Sequence, residues 1–474
     1  MRQVTESEIE NRLREDNPWW RAGQGVDALI AGYPRRSYVP GFVSLIADST
    51  VQRAVVLLGP RRVGKTVMVL HAIDALLRRP DVQGQDILYL SLETPIYTHL
   101  SLDSLLRRFR DLHPAPDNRR LFVFFDEIQY LKDWEVHLKS LVDSNRQIRI
   151  VATGSAAAAL KTKSQESGAG RFTDFQLPPL TFAEYLRFID REDELIMSDT
   201  TGADPQPRWT AANLPELNDT FVDYLNFGGY PEVVYSQEIQ RNPGRFIKSD
   251  IIDKVLLRDL PVLYGVHDVQ ELNSLFNTLA YNTGNEISLG ELAQSSNVAK
   301  NTLARYIEYL EAAFLIRRVK RIDADARRFK RVTRFKVYLT NPTMRTALFS
   351  PLRANNEAMG HLAETAVFSQ WLHNTAHVDS LHFARWAQGE IDLVSLGADQ
   401  RPKFVIEVKW SDAPFTDKRL LKSVLQFAQQ HPLQRRPLVT TRTRSGIQQH
   451  GGIEIEFAPC SLHCYTVAKN SLRH

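Results

Sequence analysis

An apolar run from Val55 to Leu58 feeds directly into Gly59-Pro60-Arg61-Arg62-Val63-Gly64-Lys65-Thr66, and an apolar helix start follows. No other stretch constrains the fold as strongly. A strand, a glycine-rich turn and a helix in that order form a phosphate-binding loop. Its two glycines let backbone N–H groups curl around an anion, and the new helix aims its positive end at the same point. In that arrangement residues Gly59 to Thr66 cradle the phosphates, Lys65 reaches the β and γ oxygens, and the Thr66 hydroxyl is offered to Mg²⁺. Such a loop sits at the carboxyl end of a parallel strand, so the chain around it must be α/β.

The 474 residues are too many for one ordinary domain. Lys and Arg number 59 against 55 Asp and Glu, a formal charge of +4, so no global field announces a nucleic-acid partner and any basic patch must be local. Cys460 and Cys464 supply neither a disulfide framework nor a four-ligand zinc site, and they read as two buried small hydrophobes in a reducing cytoplasm. The start MRQVTESEIE lacks a signal-peptide core, and no apolar run approaches a bilayer span, so a cytoplasmic protein without membrane attachment is expected.

Residues 1–50 read as an N-terminal arm. Thr5 with Glu8 caps a short helix, Asn17-Pro18 ends it, and Trp19-Trp20 docks the arm onto its own domain. Arg35-Arg36 reads as a solvated face. From 51 to 175, short apolar strands alternate with amphipathic helices, as in a sheet with helices on both faces. Leu121 to Phe125 is apolar throughout, which requires burial on both sides, and it ends in Asp126-Glu127. A carboxylate at that strand end supports Mg²⁺ (Asp126), and its neighbour directs the attacking water (Glu127). Ile148 to Ala152 is the next strand. Thr153 and Ser155, at its end, are candidates to sense the γ-phosphate or position the attacking water. Arg171, after Gly168-Ala169-Gly170, is a candidate arginine finger acting in cis or on a neighbouring copy, or else an ordinary surface arginine. Glu93, ending the strand DILYLSL, reads as facing solvent.

Asn17-Pro18-Trp19-Trp20, GPRRVGKT, FFDEIQ, ATGS at 152–155, GAGRF at 168–172, LPPLTFAEYL at 177–186 and FGGYPEVV at 227–234 occur in one order. That series resembles a prokaryotic family of AAA-superfamily P-loop ATPases carrying a C-terminal restriction-endonuclease-like domain of unassigned function. The resemblance implies an ATPase domain at 51–175, a helical linker at 176–265, a winged-helix domain at 266–336 and a nuclease-like domain at 337–474.

Within the linker, Thr181 with Glu184 caps a helix, residues 202–207 form a loop, and Asp250 to Leu260 reads as an amphipathic α-helix. In the winged-helix segment, Ser288 caps Leu289 to Gln294, and Lys300 to Ala312 forms a second helix exposing Lys300, Asn301 and Arg305. Between Arg317 and Lys336 stand ten basic residues (Arg317, Arg318, Lys320, Arg321, Arg327, Arg328, Lys330, Arg331, Arg334 and Lys336) against Asp323 and Asp325. So lopsided a wing would attract phosphate backbone, although an interdomain contact is the other reading.

Farther on, Glu390-Ile391-Asp392-Leu393-Val394 and Lys403 to Lys409 flank a turn at 397–402. In a hairpin centred between Asp399 and Gln400, Asp392 lies opposite Glu407, and Lys409 shares the face of Glu407. Two carboxylates and an ammonium therefore converge, with Asp392 and Glu407 as oxygen ligands for Mg²⁺. The set resembles the PD-(D/E)XK nuclease core. The resemblance adds Glu364 as the acid on the first helix, and Gly389-Glu390-Ile391-Asp392 stands where that family has Pro-Asp. Arg435, Arg436, Arg442 and Arg444 follow a DNA backbone or are simply exposed.

The sequence thus points to an ATP- and Mg²⁺-dependent ATPase whose nucleotide state is coupled to a C-terminal domain that binds DNA. Whether that domain cuts DNA with Glu364, Asp392, Glu407 and Lys409, or serves as a non-catalytic docking module of a regulatory switch, stays open at this level. So does assembly into a homo-oligomer.

Overall fold

The computed structural model describes residues 5–471 apart from 49, 98–99, 115, 117–118, 155–169, 200–207 and 323–333. Ser155, Gly168, Ala169, the loop at 202–207, Asp323, Asp325, Arg327, Arg328, Lys330 and Arg331 therefore lie outside the described residues. The chain divides into two compact units, Met1–Leu177 and Pro178–His474.

The first unit is built on five parallel strands, β1 (Ala54–Leu58), β2 (Ile87–Ser91), β3 (Leu121–Asp126), β4 (Ile148–Gly154) and β5 (Phe172–Gln176), in the order β2-β3-β4-β1-β5. All of β1, β3 and β4 is buried, which is why β1 and most of β3 are apolar without alternation; the Arg149 in β4 is buried by donating its guanidinium to the carbonyls of Leu45, Ile46 and Val51. Because β4 lies between β1 and β3, the carboxyl ends of all three open side by side.

The arm docks through polar as well as apolar groups. Both indoles, Trp19 Nε1 at 3.2 Å and Trp20 Nε1 at 2.8 Å, donate to the Ile87 carbonyl. Asn17 pairs with the backbone of Tyr89 in both directions, its Nδ2 donating to the carbonyl at 2.9 Å and its Oδ1 accepting from the N–H at 2.6 Å. A side-chain amide thereby replaces the missing neighbour of edge strand β2. The helix before it, Glu6–Asp16, carries the expected Thr5–Glu8 capping box.

The second unit centres on a nine-stranded mixed sheet. Its strands are β8 (Glu286–Ser288), β9 (Ile316–Ile322), β10 (Arg334–Leu339), β11 (Leu381–Trp386), β12 (Gly389–Leu396), β13 (Pro402–Glu407), β14 (Leu438–Thr441), β15 (Gly446–His450) and β16 (Ile453–Pro459). They lie in the order β15-β16-β14-β13-β12-β11-β9-β10-β8, so the sheet runs unbroken across residues 336 and 337. A separate ribbon pairs β6 (Ile196–Asp199) with β7 (Arg208–Ala211).

Helix Met359–Ser369 and helix Cys460–Asn470 share one core with Leu393, Ile406 and Val408, and both cysteines are buried there. Helix Lys422–Gln430 packs Val424 and Phe427 against Ile391, Val394 and Val405 in a second core. Thr181 and Glu184 form the expected capping box. The α-helix expected over 250–260 is instead wound in wider π-type turns, Gly244–Asp253 and Val255–Asp259. Spacings of four and five between buried Ile247, Ile251 and Leu256 suit that longer turn. Among the described residues no helix is long and apolar enough to cross a membrane.

Candidate functional sites

The loop after β1 turns into helix Lys65–Leu77 through Gly64, whose φ of 88° lies in the left-handed region that a glycine adopts without strain. At Gly59 a Cβ would stand 2.3 Å from the Leu177 carbonyl oxygen, so only glycine fits. Lys65 is buried and its ammonium donates to the carbonyls of Gly59 (3.2 Å) and Pro60 (3.0 Å).

Asp126, at the end of β3, gathers three hydroxyls. Thr66 Oγ1 donates to its Oδ2 at 2.7 Å and Tyr89 OH to the same oxygen at 3.0 Å, while Thr153 Oγ1 donates to Oδ1. Thr153 also accepts the Glu127 N–H at 3.0 Å. Glu127 has φ 54°, a strained value for a side-chain-bearing residue, and its carboxylate accepts from Gln129 Nε2. Threonine 153 is thus fully buried and committed to Asp126 and the Glu127 backbone. That geometry makes Thr153 a group that holds the strand-end turn beside Asp126. Tyr89 was not anticipated. Burial pushes its phenol well above the ordinary range, with Asp126 adding to the effect, so it remains a donor.

Thr66 and Asp126 supply hard oxygen donors next to the loop, which fits Mg²⁺; such an ion takes its other ligands from phosphate oxygens and water. Glu93 is exposed, as expected, and accepts from Tyr130 OH at 3.1 Å. Arg171 precedes β5, whose register places Phe172 beside Ala54 and Gln176 beside Leu58. It therefore stands at the amino end of the strands, roughly a strand length of 15 Å from the phosphate loop, where it pairs with Asp143. The cis-finger expectation does not hold, because parallel strands put the start of β5 and the end of β1 at opposite edges. Arg35-Arg36 is likewise no solvated face. Arg36 is 4% exposed and donates to the Val63 carbonyl within the loop at 2.8 Å, and Arg35 pairs with Asp74.

In the second unit, Glu364, Asp392, Glu407 and Lys409 line one cleft of about 410 Å³. The hairpin register pairs Leu393 with Ile406 and Val394 with Val405, so the next positions along it are Asp392 and Glu407, as the sequence geometry required. On the other side, β11 pairs His382 with Val394 but Ala384 with Ile391. The bulge sets Asp392 and Leu393 opposite Phe383 alone. Lys409 Nζ lies 2.7 Å from Glu407 Oε1 and 3.4 Å from Asp392 Oδ2.

A second ammonium, unforeseen here, joins the cluster. Lys336 on β10 is 2% exposed and lies 2.8 Å from Glu364 Oε1, 2.7 Å from Glu390 Oε1 and 3.0 Å from Asp392 Oδ1. Tyr338 OH donates to Glu364 Oε1 at 2.5 Å. Burial, reinforced by the Asp392 charge, raises Glu364 to about 7 and Glu407 to about 8. Asp392 is pulled below its ordinary value against burial by Lys336 and Lys409. The Mg²⁺ expected on Asp392 and Glu407 does not fit this arrangement. Asp392 Oδ1 is taken by Lys336, its Oδ2 accepts the Val408 N–H at 2.9 Å, and among the described residues no group of three or more His, Cys, Asp or Glu is disposed to hold a metal.

The basic segment is also quieter than its composition. Arg317 pairs with Asp379, Arg318 with Glu311, Arg321 with Glu286 and Arg334 with Glu291, and Lys336 is buried; Lys320 is exposed. Charge counted along a strand does not see acids that arrive from neighbouring elements. Helix Lys300–Ala312 does present Lys300, Asn301 and Arg305 to solvent.

A family model described as an AAA domain matches residues 51–186, and one described as a domain of unknown function (DUF8612) matches residues 218–357. An uncharacterized protein of Haemophilus influenzae is 24% identical over 73% of this chain and 80% of its own length. Uncharacterized protein MJ1544 of Methanocaldococcus jannaschii is 26% identical over 55% of each. Among solved structures, a Walker-type ATPase of Pyrococcus abyssi aligns at TM-score 0.42 with 15% identity, covering 70% of this chain and 99% of that one. The replication initiator DnaA bound to AMPPCP and single-stranded DNA aligns at 0.28 with 14% identity, covering 58% of this chain and 86% of that one. Residues 51–186, with their five-stranded parallel sheet, form a P-loop ATPase domain of the AAA superfamily.

Proposed function

We propose, from that domain as premise, that this chain hydrolyses ATP in its first unit and uses its second unit as a nucleic-acid-binding module that does not itself cut. The observation carrying the first half is the grouping of Thr66, Thr153 and Tyr89 on Asp126, with Glu127 held beside it. Lys65 and the loop N–H groups bind the β- and γ-phosphates, Thr66 and Asp126 would hold Mg²⁺, and Glu127 orients water toward the γ-phosphorus. Mg²⁺, when bound, would supply charge that neutralises the β- and γ-phosphates. Thr153 keeps Asp126 and the Glu127 backbone in register. A Glu127→Gln protein is expected to bind ATP normally and turn it over slowly; undiminished turnover removes Glu127 from this role.

Support for nucleic-acid binding comes from the two successive helices Leu289–Ser296 and Lys300–Ala312 and the exposed Lys300, Asn301 and Arg305 on the second. A duplex held this way should be released steeply as salt rises. Charge reversal at Lys300 and Arg305 should weaken binding without touching ATP turnover. The non-cutting reading of the cleft rests on Lys336 standing among its carboxylates. Plasmid incubated with the protein, ATP and Mg²⁺ or Mn²⁺ should stay intact, and cutting that disappears in Asp392→Ala would replace this reading with a nuclease.

A further inference from the structure

Lys336 stands in the sequence as one more member of a basic run, yet in the folded chain it touches no solvent-facing surface of consequence. Its strand is hydrogen-bonded on both flanks, with Lys336 opposite Val319 on β9 and opposite Glu286 on β8. The backbone that carries it is therefore pinned inside the sheet. An ammonium has three N–H donors and no acceptor. Here it donates to Glu364 Oε1 on helix 359–369 and to Asp392 Oδ1 on β12, and Glu390 Oε1 of β12 forms a third ion pair at 2.7 Å.

The surroundings extend the same charge pattern. Arg385 bridges Glu390 at 3.1 Å and Glu286 at 3.2 Å, and Arg321 takes the other oxygen of Glu286 at 3.0 Å. Acid and base thus alternate from the β8 edge into the cleft. Withdrawing the Lys336 ammonium from this lattice would leave buried carboxylates without a counter-charge, which is strongly unfavourable. A divalent ion ligated by Glu364 and Asp392 would need the same lone pairs at roughly 2.0–2.6 Å and would sit beside a buried like charge.

We infer that Lys336 is the resident cation of this site: its ammonium takes the position between Glu364 and Asp392 that a divalent metal would otherwise fill, and the cleft is built to hold its shape without one. The cations facing the open cleft include Lys409 and Arg385, whose side chains are 38% and 46% exposed. An anionic ligand entering there meets an ammonium and a guanidinium, with no metal bridge. The inference does not depend on the nucleic-acid reading above, since it concerns the cluster's own cation.

The test is Mn²⁺ titration by calorimetry of the nucleotide-free full-length chain, in wild type, Asp392→Asn, Lys336→Gln and the double variant, with folding checked by circular dichroism. Any uptake at the phosphate loop is common to all four and cancels in the comparison. Wild type and Asp392→Asn should give the same isotherm. Lys336→Gln should gain one Mn²⁺ site, bound at least tenfold more tightly than any residual uptake, and the double variant should lose it. A Mn²⁺ site present in wild type and missing in Asp392→Asn overturns the inference, as does a folded Lys336→Gln that gains nothing. If a variant does not fold, wild type against Glu407→Gln decides: identical isotherms support a resident lysine, and loss of a site in Glu407→Gln overturns it. No nucleic acid is present, so failure here leaves the binding proposal standing, and the reverse holds too.

Discussion

The Thr66 hydroxyl donates to Asp126 Oδ2 at 2.7 Å, joining the last residue of the phosphate loop to the carboxylate that ends β3. The same carboxylate accepts from Tyr89 and Thr153, so it is a shared acceptor for donors from one helix and two strands. An Asp126→Asn substitution keeps the shape but places an NH₂ against one set of hydroxyls. It should destabilise the first unit by about 1–3 kcal/mol, read by denaturant unfolding, and abolish Mg²⁺-dependent ATP turnover. Turnover within twofold of wild type would remove Asp126 from the site.

Arg36 braces the loop from behind by its bond to the Val63 carbonyl. Arg36→Ala leaves that buried carbonyl short of a donor, and the phosphate loop loses one of its fixed points. The expected outcome is a several-fold weaker ATP affinity in equilibrium binding with a turnover number close to wild type. A lost turnover number at unchanged affinity would contradict a purely bracing role.

Asn17 completes the edge of β2 through two hydrogen bonds to Tyr89. Asn17→Ala strands both backbone groups and should cost about 2 kcal/mol, with faster amide exchange at Tyr89 as the local signature. Because Tyr89 also donates to Asp126, a modest fall in ATP turnover should accompany it.

The cleft of the second unit should make stability fall as pH rises. Glu364 and Glu407 are raised to about 7 and about 8 in the folded chain, so between roughly pH 4.5 and 8 the folded state holds protons that the unfolded chain has released. Their contribution is complete below the ordinary carboxylate range and is lost as pH climbs through those values. Asp392 acts in the opposite sense, losing its contribution as pH drops below about 3.8. Unfolding followed through Trp410, which lines the cleft, should show the decline, and Glu407→Gln should flatten it, gaining about 1–2 kcal/mol over wild type at pH 9. An unchanged slope in that variant would contradict the raised value.

Much of this was legible from local pattern. The strand–loop–helix order, the Thr5–Glu8 and Thr181–Glu184 capping boxes and the docking of Trp19-Trp20 all follow from spacing, because each depends on neighbours a few residues away or on an apolar surface that must be covered. The opposition of Asp392 and Glu407 was also readable from a hairpin centred between Asp399 and Gln400, although the turn itself closes on Leu396 and Pro402 and a register shift between Ser395 and Leu396 restores the pairing. The bulge that sets Asp392 and Leu393 opposite Phe383 was not readable, because it arises between β11 and β12 and leaves no composition signal.

By itself, the sequence determined that this chain contains a phosphate-binding loop, which acids stand at the neighbouring strand end, and that two carboxylates and Lys409 meet across a hairpin. Only the tertiary structure decided what the remaining charges do. Arg36 lies behind the loop, Arg171 stands at the far edge of its sheet, and Lys336 leaves its basic neighbours to sit among three acids. The reason is physical: a charge's local sequence neighbours set how basic a stretch looks, but its energy depends on burial and on partners brought from distant segments, and those exist only once the sheets are assembled.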